Sequence, residues 1–214
     1  MLPVIFEYVK DQYSGLSIPS LRIIGNFSTG NELQTQELIN NNFFKLSMEL
    51  LDHPKRAIRR ETCWILSNIA AGTTTQVDAF LNETGLLEKL LNKFLVDLTE
   101  VKREICWIFS NFGHLGNNAK ILQLYLECNI INYYENLLME DDEKTLENVL
   151  ECLFKVLAVG DKARINNENM ILKQVYSSSI VNSLEKLQEH KSPKVYKAIV
   201  KIINKYFETE NPLI

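Results

Sequence analysis

The chain is poor in cysteine, proline and histidine, with 4, 5 and 3 of each among 214 residues. Its cysteines, Cys63, Cys106, Cys128 and Cys152, include no CxxC pair and no short Cys/His spacing, so no metal site is expected. His53, His114 and His190 stand apart from one another, and there is no GxSxG, HExxH or phosphate-loop motif. Neither an enzyme nor a cofactor is therefore expected. A basic surplus is also missing. Lys and Arg number 23 against 27 Asp and Glu, a net charge of −4, which argues against a nucleic-acid partner. No apolar run reaches the roughly 18 residues of a membrane span. Met1-Leu2-Pro3-Val4-Ile5-Phe6 lacks the basic start and long apolar stretch of a signal peptide, so cytoplasm and nucleus are the expected compartments, with buried, reduced thiols.

What the chain does have is a phrase used twice. Glu61-Thr62-Cys63-Trp64-Ile65-Leu66-Ser67-Asn68 returns 43 residues later as Glu104-Ile105-Cys106-Trp107-Ile108-Phe109-Ser110-Asn111. Glu, Trp and Asn then lie three and four residues apart, a spacing that puts all three on one face of a helix. Gly30, Gly72, Gly116 and Gly160 recur at nearly the same period and read as glycines in left-handed conformation closing successive helices. Apolar pairs at Phe43-Phe44, Leu86-Leu87, Ile130-Ile131 and Ile180-Val181 follow it too, and the polar stretch 161–169 absorbs the longer last interval.

No strand alternation of convincing length is present, and the expected class is all-α. The second unit predicts helices at 32–40, 42–51 and 55–71, broken by Asp52-His53-Pro54 because the residue before proline avoids the helical region. The third predicts 74–82, 84–96 and 99–112; the fourth 117–127, 129–139 and 142–159; the fifth ends in 193–208. The first has only 2–11 and 18–28. Three helices per period of 42–44 residues describe an armadillo-repeat, right-handed superhelical solenoid. Its repeats run about 1–30, 31–72, 73–116, 117–160 and 161–210, forming one domain over 1–210 with a short tail at 211–214.

On the shared stripe, an Asn side chain donates and accepts at once, so it pairs with the N–H and C=O of a passing backbone. Asn26, Asn68 and Asn111 would form a ladder that holds a peptide extended. Trp64 and Trp107 would stand as parallel walls for a lysine stem, with cation–π attraction of about 0.5–2 kcal/mol. Glu61 and Glu104 would supply the opposite charge. Lys55, Arg56, Arg59 and Arg60 read as a solvated basic face. Glu140-Asp141-Asp142-Glu143, with Glu147, reads as acids at the positive end of a helix.

These phrases resemble the C-terminal half of the importin-α (karyopherin-α) family. Leu21-Arg22-Ile23-Ile24-Gly25-Asn26-Phe27-Ser28-Thr29-Gly30 is similar to that family's sixth armadillo repeat, Glu61–Gly72 and Glu104–Asn111 to its seventh and eighth, and 194–210 to its tenth. The resemblance implies a nuclear import adaptor whose minor site binds Lys/Arg-rich localisation signals. Trp64 and Trp107 would sandwich basic side chains and Asn26, Asn68 and Asn111 would clamp the backbone. Thr29, Gly30 and Thr35 would shape the pocket for the principal basic residue. Glu61 and Glu104 match acidic positions, Arg22 stands where a tryptophan would be expected, and Glu32 replaces an aspartate.

The fourth repeat departs from the pattern, with Glu151 and Lys155 at the Trp and Asn positions, so the site ends at Asn111. An alternative expectation is a scaffold that docks a folded protein, such as an export receptor, through Lys194–Glu210. The N-terminal apolar residues Leu2, Val4, Ile5 and Phe6 are expected to meet another repeat of a longer parent chain or a second copy.

Overall fold

A computed structural model describes residues 1–10, 15–114 and 116–207. The chain divides into two compact units, Met1–Gly116 and Asn117–Ile214. The first unit holds α1 (Leu2–Lys10), α2 (Ser17–Ser28), α3 (Glu32–Asn40), α4 (Phe43–Leu50), α5 (Arg56–Ala70), α6 (Thr74–Asn82), α7 (Leu86–Val96) and α8 (Thr99–Phe112). The second holds α9 (Asn118–Glu127), α10 (Ile130–Leu138), α11 (Glu143–Lys162), α12 (Met170–Tyr176), α13 (Ile180–Leu187) and α14 (Pro193–Tyr206). Every expected helix is present, three of them with the expected bounds and the others with ends shifted by at most three residues; positions 11 and 208–210 of the expected spans lie outside the described residues. Among the described residues the only β pairing is an isolated bridge between Ile165 and Glu168, inside the loop that lengthens the last repeat.

Gly30, Gly72 and Gly160 have a different role from the one expected. Left-handed backbone falls instead at Asn42 (φ 64°), Gly85 (φ 80°) and Asn129 (φ 49°), each at the same point of its repeat, just before the second helix. Asn and Gly are the residues that tolerate this conformation. Gly30 and Gly72 precede the N-cap of the next helix. A Cβ on them would lie 2.0 Å from Gln34 Oε1 and 2.2 Å from Gln76 Oε1. Those two glutamines close capping boxes, in which the N-cap Asn31 or Thr73 accepts from the glutamine N–H and the glutamine oxygen accepts from the N-cap N–H. Gly160 lies within α11, and a Cβ there would meet Asn169 Oδ1, the cap of α12, at 2.0 Å. Each of these three glycines therefore leaves room for a neighbouring cap.

Within the first unit, rings run from repeat to repeat. Phe44 meets Phe80 edge-on at 5.1 Å between centroids, and Phe80 meets Phe112 at the same distance. Each such ring is buried, worth roughly 1.5–3 kcal/mol by area alone. The basic run is not a uniformly solvated face. Arg59 forms two 2.7 Å bonds to Asp97 across the repeat boundary and also donates to the carbonyls of His53 and Pro54. Its side chain is 14 % exposed and that of Asp97 is 3 % exposed. Arg56 pairs with Glu100 at 2.9 Å. As expected of the acidic stretch, Asp142 caps α11 by accepting from the N–H of Thr145.

Candidate peptide-binding face

In the first unit α2 packs on α5 and α5 on α8, so the same stripe of three successive helices adjoins. Exposure marks that stripe residue by residue. On α5, Arg60, Glu61, Trp64 and Asn68 are half-buried, whereas Thr62, Cys63, Ile65, Leu66 and Ser67 between them are buried. On α8, Arg103, Glu104, Trp107 and Asn111 are half-buried, and Ile105, Cys106, Ile108, Phe109 and Ser110 are buried. Neither indole lies in the core. On α2, Arg22 and Asn26 are exposed.

Two of the three amide rungs are tethered to the preceding repeat. Asn68 Nδ2 donates to Ser28 Oγ at 3.0 Å, and Asn111 Nδ2 donates to the carbonyl of Ser67 at 3.0 Å. Ser28 in turn donates to the carbonyl of Gly25 at 2.8 Å, and Ser67 to that of Trp64 at 2.8 Å. The amides are thereby held in one orientation before any ligand arrives, which lowers the ordering cost of binding. The six-membered ring of Trp64 lies directly on Gly25 of α2, where a Cβ would come within 2.3 Å of Cζ3.

The remaining residues named from the sequence have mixed positions. Thr29 and Gly30 are exposed, and Thr29 Oγ1 donates to the carbonyl of Asn26 at 3.3 Å. Glu32 is exposed in the first turn of α3, and its backbone carbonyl accepts from Gln76 Nε2 of the next repeat at 2.9 Å. Thr35 is buried in α3, so it can give the face its shape but offers little surface to a ligand. Glu61 accepts from Arg60 at 2.6 Å.

Gly25, Ser28 and Ser67 carry no role of their own in the sequence reading, and Arg60 enters it only as part of the basic run. The repeated phrase in fact begins one residue earlier than its glutamates, at Arg60 and Arg103, and both copies carry Ser just before Asn. Gly25 was signalled by a glycine inside a helical pattern, which needs a packing reason.

The second unit treats the same register differently. Glu151 is exposed and Lys155 half-buried on α11, and the adjoining Phe154 ring is covered by Lys201 of α14, whose Nζ lies 3.9 Å from the centroid. Lys205 Nζ lies 4.9 Å from the same centroid. The aromatic face is thus occupied by the chain's own cations.

Comparison with known proteins accords with this geometry. A family model described as an atypical Arm repeat matches residues 181–212. Importin subunit alpha-1a of Oryza sativa subsp. japonica is 29% identical over 97% of this chain and 40% of its own length. Importin subunit alpha-4 of Arabidopsis thaliana is 29% identical over 97% of the chain and 39% of its own length. The chain therefore spans about two fifths of these relatives. Among solved structures, a computationally designed armadillo repeat protein for modular peptide recognition has a TM-score of 0.77 at 21% identity, covering 94% of this chain and 80% of that one. A designed armadillo repeat protein in complex with the peptide (KR)4 has a TM-score of 0.64 at 20% identity, covering 96% and 99%. The chain is thus similar in sequence to importin-α subunits and has the fold of an armadillo-repeat protein.

Proposed function

We propose that the first unit binds an extended Lys/Arg-rich peptide of a cargo protein along α2, α5 and α8, as the minor site of a nuclear import adaptor. The observation that carries this reading is the alternation of exposure on α5 and α8. It leaves Glu61, Trp64 and Asn68, then Glu104, Trp107 and Asn111, at the surface among buried neighbours. Trp64 and Trp107 would take basic side chains over their faces, and Asn26, Asn68 and Asn111 would hold the peptide backbone. Glu61 and Glu104 would favour cations, while Thr29, Gly30, Glu32 and Thr35 would shape the end of the site near α3. Such an adaptor works in cytoplasm and nucleus. The names of the rice and Arabidopsis relatives support import, and the (KR)4 complex of a structural neighbour supports the ligand chemistry.

Titration of labelled (KR)4 peptide tests the reading. Replacing Trp64 and Trp107 together by Ala should cost roughly 1–3 kcal/mol of affinity. Equal affinity of parent and double variant would defeat it.

A second reading concerns the last repeat. Lys194, Lys197, Lys201 and Lys205 form an exposed stripe on α14, suited to a folded, acidic partner such as an export receptor. A partner held there alone would not be displaced by (KR)4.

A further inference from the structure

A cation sits inside the site just described for cations. Arg60 Nη2 lies 2.6 Å from Glu61 Oε1, on the same stripe as Trp64 and Asn68, with the guanidinium side chain 43 % exposed and the carboxylate 14 % exposed. The hydrogen bond to Glu61 raises Arg60 above its ordinary value against the opposing effect of burial, and Glu100 and Glu104 of the next repeat add to the same field. The pairing recurs in sequence, since Arg103 precedes Glu104 just as Arg60 precedes Glu61. A peptide that needed these carboxylates open would be poorly served by an arginine beside each of them. One that must exchange for a resident guanidinium would be selected for the strength of its own charge.

Building on the proposed peptide site, we propose that Arg60 is a specificity-determining residue: an internal stand-in that occupies the Glu61 carboxylate and must be displaced by a basic ligand side chain. In the unliganded protein it neutralises a half-buried acid that would otherwise be desolvated without a partner. When a ligand lysine or arginine reaches Glu61, the Arg60 side chain swings toward solvent, which its exposure permits. Neutral side chains cannot compensate for the broken ion pair and are rejected; weakly placed cations gain little. The exchange lowers affinity for every basic peptide while widening the gap between well-placed and badly placed cations, a trade of strength for selectivity.

The test is titration of labelled (KR)4 peptide into the parent chain, Arg60→Gln, and Arg60→Met, which keeps the stem and removes the charge. Both variants should bind about two- to fivefold tighter than the parent, the range of a half-exposed ion pair. The gain should shrink as salt is raised. A peptide with its Lys and Arg replaced by neutral residues should show no binding to the parent and a smaller penalty on the variants. Thermal melts of both variants report whether the fold is kept. Equal or weaker binding by a folded variant would overturn the proposal, since Arg60 would then be a ligand contact or a bystander. Binding by the parent without a gain in the variants defeats only this inference. Absence of binding by the parent defeats the peptide site itself and this inference with it.

Discussion

The indole of Trp64 rests on the backbone of Gly25, so closely that a single methyl group at residue 25 would come within 2.3 Å of Cζ3. The ring proposed to bind in one repeat is thus positioned by the helix of the repeat before it. Alanine in place of glycine inside a helix usually stabilises by about 0.5–1 kcal/mol. Here Gly25→Ala should destabilise instead, by about 1–3 kcal/mol through overpacking. It should also weaken (KR)4 binding and change the tryptophan fluorescence. A more stable variant with unchanged emission would contradict the contact.

Gln76 joins two jobs: its Oε1 accepts from the Thr73 N–H at 3.0 Å, and its Nε2 donates to the Glu32 carbonyl of the preceding repeat at 2.9 Å. Gln76→Ala should cost about 1–2 kcal/mol, the sum of a lost cap and a lost cross-repeat bond. Gly72→Ala should cost a similar amount, because its Cβ would take the place of the same oxygen. Chemical denaturation of the double variant should show a cost well below the sum of the two singles, since both remove one interaction.

Much of this architecture is legible in the sequence, and what is not has identifiable causes. Helix spans followed from apolar spacing and from Asp52-His53-Pro54, because periodicity and proline act locally. The face was legible because Glu, Trp and Asn repeat at the helical interval. By sequence Gly30, Gly72 and Gly160 read as helix closers, yet what they accommodate is a side chain four or nine residues onward. Arg59 belongs by sequence to a solvated run, while its partner Asp97 lies 38 residues away. The tether of Asn68 to Ser28 spans 40 residues. Contacts between repeats leave no mark in a local pattern, so only the structure discloses which surface residues are anchored.

The Arg59–Asp97 pair makes a pH prediction with a definite sign. Burial pushes the Asp97 carboxyl up, but the two bonds from Arg59 and the Leu98 N–H outweigh it and leave the group below its ordinary value. A carboxyl depressed in the folded state contributes in full above the unfolded value, about 3.9, and loses that contribution as pH falls through the folded value. Asp97→Asn should therefore lower stability at neutral pH, by about 3 kcal/mol as an uncompensated Arg59 is left behind. The deficit should narrow below about pH 4. Melting curves between neutral and acidic pH would show it; a constant deficit would refute the assignment.

The thiols give a simpler measurement. Cys63 is buried and its thiol is pushed well above the ordinary range by that burial. Burial likewise pushes Cys128 up to about 11. Cys106 and Cys152 are buried as well. Since the thiolate is the reactive form, an aromatic disulfide reagent at pH 8 should label the native protein slowly at all four positions and promptly after unfolding. Rapid labelling of any of the four thiols in the folded chain would contradict this packing.

The serine tethers bear on any attempt to transplant the proposed site from one array to another. Asn68 takes its orientation from Ser28, and Asn111 from the carbonyl of Ser67, so each amide borrows its aim from the neighbour upstream. A graft cut at the repeat boundary would carry the Asn and leave its anchor behind. The natural cassette for transfer therefore straddles two repeats, running from the small residues on one third helix to the Trp and Asn on the next.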